Sequence, residues 1–186
     1  MQRYIAVAVL IAVGVLVTAV GVGSGARQQT VTCGDEIDVR GNYVLAGDCT
    51  TTASARNGIV VNADDVILDL DGHTIRAGVP AGSGVLIDGD NVHLKGPGTI
   101  DGGSEVFAEG VLVRATKTLV TGITTTRNNV GIRVAGQGTV FGTNNRIVNN
   151  TSLQNFQRDL LDQNPNCDKN TWVSNVFGTA NQPCIK

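Results

Sequence analysis

The chain is poor in histidine, methionine, aromatic residues and net charge. Among its 186 residues there are two histidines, one methionine and one tryptophan, aromatic residues make up 4%, and the formal net charge is −2 at pH 7. Nucleic acids and anionic membrane surfaces attract proteins that carry a basic stripe, and no such stripe is visible. The composition therefore argues against a nucleic-acid partner and against binding to a membrane surface.

Helical periodicity is also missing. Apolar residues alternate with polar ones at a period of two, which predicts short strands. Four prolines against 24 glycines suit a chain with many tight turns. We therefore predict an all-β protein, and the roughly 160 residues that follow the apolar N-terminal stretch are enough for one domain.

The segment 57–75, with the sequence NGIVVNADDVILDLDGHTI, is the unit that the rest of the chain repeats. Its Gly-apolar-x-apolar opening returns at spacings of 26, 26 and 21 residues, at Gly58, Gly84, Gly110 and Gly131. A period of this size, made of strands and turns, predicts a coil that stacks on copies of itself. Leucine-rich repeats share the period, but their Leu-x-x-Leu-x-Leu frame is absent.

The alternation also predicts which side chains fill the core, because every second residue of a strand points to the same face. The predicted inward residues are Ile59, Val61, Val66, Leu68, Leu70 and Ile75 in the first coil, Val85, Ile87, Val92, Leu94 and Ile100 in the second, Val111, Val113, Val120 and Ile123 in the third, and Ile132, Val134 and Ile147 in the fourth. An extra loop, 136–143, is expected to leave the fourth coil.

Four segments are predicted along the chain. Residues 1–26 are interpreted as a signal peptide or an N-terminal membrane anchor, 27–54 as an N-terminal cap, 55–155 as the coils, and 156–186 as a C-terminal cap. The uncharged run 4–23 precedes small residues that fit a signal-peptidase site, and it is also long enough to span a bilayer uncleaved. Both interpretations place the remainder outside the cytoplasm, in an extracellular or periplasmic location.

The four cysteines lie in two pairs near the ends of the mature chain, at Cys33, Cys49, Cys167 and Cys184. Four cysteines allow three connectivities. We favour bridges from Cys33 to Cys49 and from Cys167 to Cys184, because the ends of a solenoid are far apart and only neighbours could meet. Disulfides agree with an oxidising compartment outside the cytoplasm.

Asparagines gather from Asn128 onward. Their side chains tolerate left-handed backbone and bond to their own turn. At repeated turn positions they can also bond to the equivalent residue one coil away. We therefore predict ladders of asparagines in the C-terminal coils.

Two stretches support a resemblance to a known family. They are the run 63–75, ADDVILDLDGHTI, and the tail 164–185, in which Asn164-Pro165-Asn166-Cys167 leads to Trp172 and Cys184. Together they resemble the secreted parallel β-helix repeat proteins of the pectin-lyase-like superfamily. The resemblance implies a single-stranded right-handed parallel β-helix of about five to six short coils, with disulfide-bridged caps at both ends. Such a fold hosts enzymes, adhesins and proteins without known activity, so it does not decide the function.

The resemblance also directs attention to one candidate catalytic face. Lyases and epimerases of this fold use outward carboxylates, often with Ca²⁺, together with a base that abstracts the proton beside a uronate carboxylate. The matching residues are Asp69, Lys95 and His93, with Lys95 one coil above Asp69. Oxygen ligands for a hard cation such as Ca²⁺ could come from a set of four aspartates, Asp69, Asp71, Asp88 and Asp90.

The structural alternative is that these residues stabilise the coils. Asp69 and Lys95 would then be an opposite-charge pair on adjacent strands, and the remaining aspartates would serve turns. No other cofactor is expected. Copper, which relatives with the same repeats bind, needs histidine, methionine or free cysteine ligands, and this chain has too few.

A carbohydrate partner remains open on the sequence alone. Aromatic platforms for sugar rings would come at most from Tyr43, Phe107 and Phe141. The outward column Val60, Leu86, Leu112 and Arg133 is expected to be covered by the chain itself or to contact a partner or second copy. We conclude that the protein is a non-catalytic structural or carbohydrate-contacting module, with a polysaccharide lyase or epimerase acting on uronate-containing polysaccharide as the alternative. The oligomeric state is not predicted.

Overall fold

The computed structural model describes residues 28–80, 82–136 and 142–186. The predicted leader, 1–26, lies outside the described residues, as does most of the predicted loop 136–143. All structural statements below concern the described ranges.

The described residues form 17 short strands and a single turn of 3₁₀-helix at Pro165–Cys167. The strands are β1 (Gln29–Val31), β2 (Asp35–Ile37), β3 (Gly41–Leu45), β4 (Cys49–Thr50), β5 (Ile59–Val61), β6 (Val66–Asp69), β7 (Thr74–Arg76), β8 (Ser83–Ile87), β9 (His93–Asp101), β10 (Glu109–Val113), β11 (Leu119–Thr126), β12 (Val130–Val134), β13 (Arg146–Val148), β14 (Thr151–Leu153), β15 (Arg158–Asp162), β16 (Thr171–Val173) and β17 (Val176–Phe177).

All pairings between these strands are parallel, and they wind the chain into a β-solenoid of about five turns. Sheet B is one ladder in the order β15-β12-β10-β8-β5-β2. Sheet A consists of two ladders that share the long strands β9 and β11. Its first half runs β1-β3-β6-β9-β11-β13-β16, and its second half runs β4-β7-β9-β11-β14-β17. The turns therefore stack in three ladders, which confirms the prediction of a coil that stacks on copies of itself.

The predicted core is confirmed. In sheet B, Ile59, Val85, Val111, Ile132 and Leu160 are successive Cα partners and form one internal file. Every residue predicted to point inward is at most 1% exposed. Burial of each such aliphatic side chain contributes about 1.5 to 3 kcal/mol, so the stacked files stabilise turns that could not fold alone.

The repeated glycines have a packing reason. A Cβ at Gly84 would lie 2.1 Å from Ile100 Cγ2 and 2.7 Å from the carbonyl oxygen of Gly110, one turn further along the solenoid. At Gly58 the corresponding distance, to the Gly84 carbonyl oxygen, would be 2.2 Å. A side chain at these positions would force adjacent turns apart, which explains why glycine opens each repeat.

The last turn has no glycine at the position that opens each earlier repeat, because no further strand of sheet B stacks beyond it in the described ranges. Asp159 follows Gly131 in this column, and its carboxylate accepts hydrogen bonds from the backbone N–H groups of Gly178 and Thr179, both at 2.9 Å. Strands β15, β16 and β17 continue the three ladders. The segment 156–186, predicted as a cap, thus contains a further turn of the solenoid followed by a closing tail.

Asparagine ladders occupy corners of the C-terminal turns, as predicted. Asn145 Oδ1 accepts from the N–H of Thr118 at 2.8 Å, and Asn170 Oδ1 accepts from the N–H of Asn145 at 3.0 Å. Similar ladders join Asn150 to Asn175 and Asn128 to Asn155. Backbone N–H groups at the buried corners thereby obtain hydrogen-bond partners that the neighbouring strands do not supply.

Both predicted disulfides are present. Cys33 is bonded to Cys49 and Cys167 to Cys184, near the two ends of the solenoid. Trp172, in the predicted C-terminal cap, is 2% exposed, and its Nε1 donates to Asp162 Oδ2 at 2.8 Å. Disulfides persist in oxidising compartments, so these bridges indicate an extracellular or periplasmic location.

Candidate functional site

The candidate catalytic face lies on the first half of sheet A. Asp69 and Lys95 are Cα partners on β6 and β9, and Lys95 Nζ lies 2.6 Å from Asp69 Oδ2. Both side chains point outward, because the neighbouring Leu68 and Leu94 fill the core. The predicted proximity of Asp69 and Lys95 is therefore observed, as a direct ion pair.

The ion pair changes the acid–base character of both groups. Burial alone would raise the pKa of Asp69, but the hydrogen bond and charge of Lys95 outweigh it and hold that pKa below its ordinary value. The same hydrogen bond, with the charge of Asp69, raises the pKa of Lys95. Lys95 therefore stays protonated at neutral pH, which makes it a poor base for proton abstraction.

His93 is the third predicted catalytic residue and lies two positions before Lys95 on β9. It sits in the outward column between its Cα partners Ile67 and Leu119. Burial, followed by the charge of Lys95, lowers its pKa, although Asp69 acts in the opposite direction. The ring is therefore neutral at pH 7, and its buried Nε2 has no hydrogen-bond partner among the described residues.

Three of the four aspartates predicted as metal ligands, Asp69, Asp88 and Asp90, use their carboxylates in separate contacts. Asp69 Oδ1 accepts from the backbone N–H of Asp71 at 3.0 Å, Asp88 binds Arg114, and Asp90 Oδ1 accepts from the N–H of Thr116 at 2.7 Å. Asp69 belongs to sheet A, whereas Asp88 follows the last residue of β8 in sheet B. In the part of the chain that the structure describes, no group of three or more histidine, cysteine or acidic side chains is placed to hold a metal ion.

Ion pairs between successive turns are a general feature of the surface. Four carboxylates each bind a cation located 24 or 26 residues further along the chain, in the pairs Asp69–Lys95, Asp88–Arg114, Asp101–Arg127 and Glu109–Arg133. The spacing is close to one repeat, so each pair joins one turn to the next. These ion pairs occupy charged side chains that a catalytic site would need unpaired.

The second half of sheet A carries a polar wall that the sequence analysis did not single out. Threonines form an outward column in which Thr74, Thr99, Thr124 and Thr151 are successive partners. In the neighbouring column, Asp101 is the Cα partner of Arg76 and of Thr126. It accepts hydrogen bonds from the guanidinium groups of Arg76 and of Arg127, which directly follows Thr126. The 25- and 26-residue spacings of these charges, close to the repeat period, were the signal that could have revealed them.

Aromatic platforms for sugar rings are not provided by the predicted residues. Phe107 is fully buried in the core, and Tyr43 is 7% exposed, with its hydroxyl donating to the carbonyl oxygen of Val39 at 2.7 Å. These two candidates are not available as platforms, because Tyr43 lies at an inward position of β3 and Phe107 packs into the core cluster. Phe141 lies outside the described residues.

The predicted outward apolar row of sheet B is present. Val60, Leu86, Leu112 and Arg133 are successive Cα partners, and all four are half-buried. Arg133, the last member of the row, is paired with Glu109, and Arg114, next to the row, is paired with Asp88. The row is continuous over four turns and is flanked by paired charges.

An open depression of about 410 Å³ lies at another place, over the stacked turns between the two sheets. Asp64, Asp65, Asp90, Asn91 and Lys117 line it. Most of these residues bond along the turn column, for example Asp64 Oδ1 with the N–H of Asp90 at 2.7 Å and Asp65 Oδ1 with Asn91 Nδ2 at 2.6 Å. Their contacts stabilise the turns, and the lining includes none of the predicted catalytic residues Asp69, Lys95 and His93.

Two further findings concern a membrane span and the family to which the chain could belong. The described residues include no helix of sufficient length and apolarity to cross a bilayer, and the predicted anchor, 4–23, lies outside them. The structure supports a parallel β-solenoid, while membership of the pectin-lyase-like superfamily stays a prediction. Comparisons with protein-family models, with curated proteins and with solved structures returned no match.

Proposed function

We propose that this protein is an exported, non-catalytic β-solenoid module that acts at the cell surface or outside the cell and contacts carbohydrate. The observation that carries the proposal is the pairing of outward charges between turns. Asp69 and Lys95, the best candidates for acid–base work, neutralise each other at 2.6 Å. A side chain held in such an ion pair stabilises adjacent turns and is poorly suited to proton abstraction.

The threonine column on the second half of sheet A supports the carbohydrate contact. Thr74, Thr99, Thr124 and Thr151 are each partly exposed and are repeated once per turn. Parallel strands lie about 4.8 Å apart, so the hydroxyl groups form a regular row along the solenoid axis. Each hydroxyl can donate and accept hydrogen bonds, which suits the hydroxyl groups of a glycan laid along the row.

Two substitutions in one strand test the contact. Thr124 and Thr121 both belong to β11 and are both partly exposed, but they lie on different halves of sheet A. Thr124→Val removes a hydroxyl group from the proposed wall, and Thr121→Val is the matched control. We expect affinity electrophoresis against neutral and acidic polysaccharides to show retardation that Thr124→Val reduces and Thr121→Val preserves. Equal effects of the two substitutions, or no retardation of the wild type, would refute the contact.

The second candidate is a polysaccharide lyase or epimerase that acts on uronates, and His93 is the observation that favours it. Its lowered pKa keeps the imidazole neutral beside Asp69 and Lys95, as a general base near neutral pH requires. Formation of unsaturated products from acidic polysaccharides, lost in both Asp69→Ala and His93→Gln, would establish this activity and end the non-catalytic proposal. Ca²⁺ should be present in one arm of that assay, because the predicted carboxylate ligands suit a hard cation.

A further inference from the structure

The Asp101 carboxylate differs from every other outward acid in the described ranges because two guanidinium groups contact it. Asp69, Asp88 and Glu109 each bind one cation. Asp101 binds Arg127 from the following turn and Arg76 from the preceding turn. The cluster of these three residues therefore carries one positive charge in excess, held in place on the polar wall of sheet A.

Arg127 alone is sufficient to neutralise Asp101. Its Nε donates to Asp101 Oδ1 at 2.8 Å, and its Nη2 contacts Oδ2 in a bidentate arrangement. The N–H of Gly103 adds a further hydrogen bond to Oδ1 at 2.9 Å. Arg76 contributes only Nε, at 3.5 Å from Oδ2. The second guanidinium is thus not required by the buried carboxylate, yet it is placed beside the first.

The remaining donors of the two arginines are free to bind a ligand. Both side chains are 53% exposed, while that of Asp101 is 4% exposed. Among the described residues, no hydrogen bond is formed by Arg76 Nη1, Arg76 Nη2 or Arg127 Nη1. The hydroxyl groups of Thr74 and Thr99 lie on the same outward face, each two positions before Arg76 and Asp101 respectively.

We propose that Arg76 and Arg127, oriented by Asp101, form a binding site for a tetrahedral oxyanion, such as the phosphate or sulfate ester of a polymer. Guanidinium groups recognise such anions through paired N–H donors. Together the two arginines leave three terminal nitrogens without a protein acceptor, and three donor nitrogens suit the three free oxygens of a phosphate or sulfate ester better than the two oxygens of a carboxylate. The threonine hydroxyls supply further donors beside them.

This site is distinct from the glycan contact proposed above, although both lie on the polar wall of sheet A. Its probes are inorganic phosphate and inorganic sulfate, whose binding needs no glycan and no catalysis. Failure of the threonine variants to alter polysaccharide binding would leave the oxyanion site untouched. Loss of phosphate binding would equally leave the glycan proposal in place.

The test is a titration of the isotopically labelled protein with sodium phosphate at constant ionic strength, with chloride as the balancing anion. Resonances of the Arg76 and Arg127 side-chain N–H groups should shift with phosphate and with sulfate, and to a smaller extent with acetate. Arg76→Gln should weaken phosphate binding by about tenfold or more, because two of the three free terminal nitrogens are lost. Arg146→Gln is the matched control, since Arg146 is an exposed outward arginine of the same sheet.

The outcomes distinguish a specific oxyanion site from nonspecific electrostatic attraction of anions. Equal weakening by Arg76→Gln and Arg146→Gln, or shifts that chloride reproduces, would overturn the proposal. Arg127→Lys provides a second variant, because it keeps a charge beside the buried Asp101 while removing the planar donor fork. It should bind phosphate more weakly than the wild type with an unchanged far-ultraviolet circular dichroism spectrum, and wild-type binding by this variant would also contradict the proposal.

Discussion

Asn150 and Asn175 stack one turn apart, with Asn175 Oδ1 accepting from both the backbone N–H and the side-chain Nδ2 of Asn150, at 3.0 and 3.1 Å. Asn150 in turn accepts from the N–H of Ile123 at 3.0 Å and donates to the carbonyl oxygen of Val120 at 3.0 Å. The side chain thereby replaces backbone pairing at a corner where no strand can supply it. A buried corner of this kind depends on the amide group itself.

Replacement of this amide should be costly. Asn150→Ala leaves a buried N–H group and a buried carbonyl group without partners, and we expect a loss of about 2 to 4 kcal/mol in the free energy of unfolding. Urea denaturation followed by circular dichroism measures it. The neighbouring Asn149→Gly is the control, because Asn149 is exposed and has a φ of 57°, which glycine adopts readily. A loss below 1 kcal/mol for Asn150→Ala would contradict the ladder's role.

The glycine column makes a second prediction. In Gly84→Ala the new methyl group would meet Ile100 Cγ2 at 2.1 Å and the Gly110 carbonyl oxygen at 2.7 Å. Because the obstacle includes backbone of the next turn, we expect destabilisation of about 1 to 3 kcal/mol or more. Gly47→Ala, where no atom lies within 4 Å, should be close to neutral. Thermal unfolding of the two variants checks the difference, and equal melting temperatures would refute the packing explanation.

The disulfide at the C-terminal end should contribute to stability mainly through the unfolded chain. Cys167 and Cys184 are 17 residues apart, and closing a loop of this length contributes about 3 kcal/mol in the chain-entropy model. Cys167→Ser combined with Cys184→Ser should lower the urea midpoint accordingly. The corresponding pair of substitutions at Cys33 and Cys49, which are 16 residues apart, should have an effect of similar size. Unchanged midpoints in both double variants would rule out this contribution.

The titration of His93 should contribute to the pH dependence of the free energy of unfolding. Burial and the charge of Lys95 lower its pKa in the folded protein, so the unfolded chain binds the proton more readily. Stability must then fall as the pH decreases from 7 through the unfolded value of about 6.5 toward the folded pKa. His93→Gln should flatten this slope between pH 7 and 5, as measured by urea denaturation across the range. Asp69, whose pKa is also lowered, contributes to pH dependence only nearer pH 4 and below.

The repeat made much of this architecture predictable. Alternating aliphatics and recurring glycines correctly placed Ile59, Val85, Val111 and Ile132 in one file, and the 26-residue offset correctly brought Lys95 to Asp69. Local alternation sufficed because each strand pairs with the strand one period away. The same reasoning identified both cysteine pairs.

Other features depended on three-dimensional context. Leu160 continues the internal file, but Asp159 occupies the glycine position, which is tolerated only because the closing tail supplies hydrogen-bond donors. Tyr43 and Phe107 were candidates for binding sugars because of their residue type alone, and packing places both in the core. The Arg76–Asp101–Arg127 cluster was missed because its members are spread over three turns.

The parallel ladders have a consequence for how such a protein can change its length. Residues 84–109 make up one complete period, and their excision would bring Gly110 into the place that Gly84 holds above Gly58. Strand order, inward alternation and both terminal bridges would all survive the shortening, since none of the four cysteines lies in the excised segment. Loss of a single strand residue, in contrast, would turn every following side chain of that strand inside out. The fold can therefore gain or lose complete repeats during evolution, whereas deletion of single residues from its strands would disrupt the core.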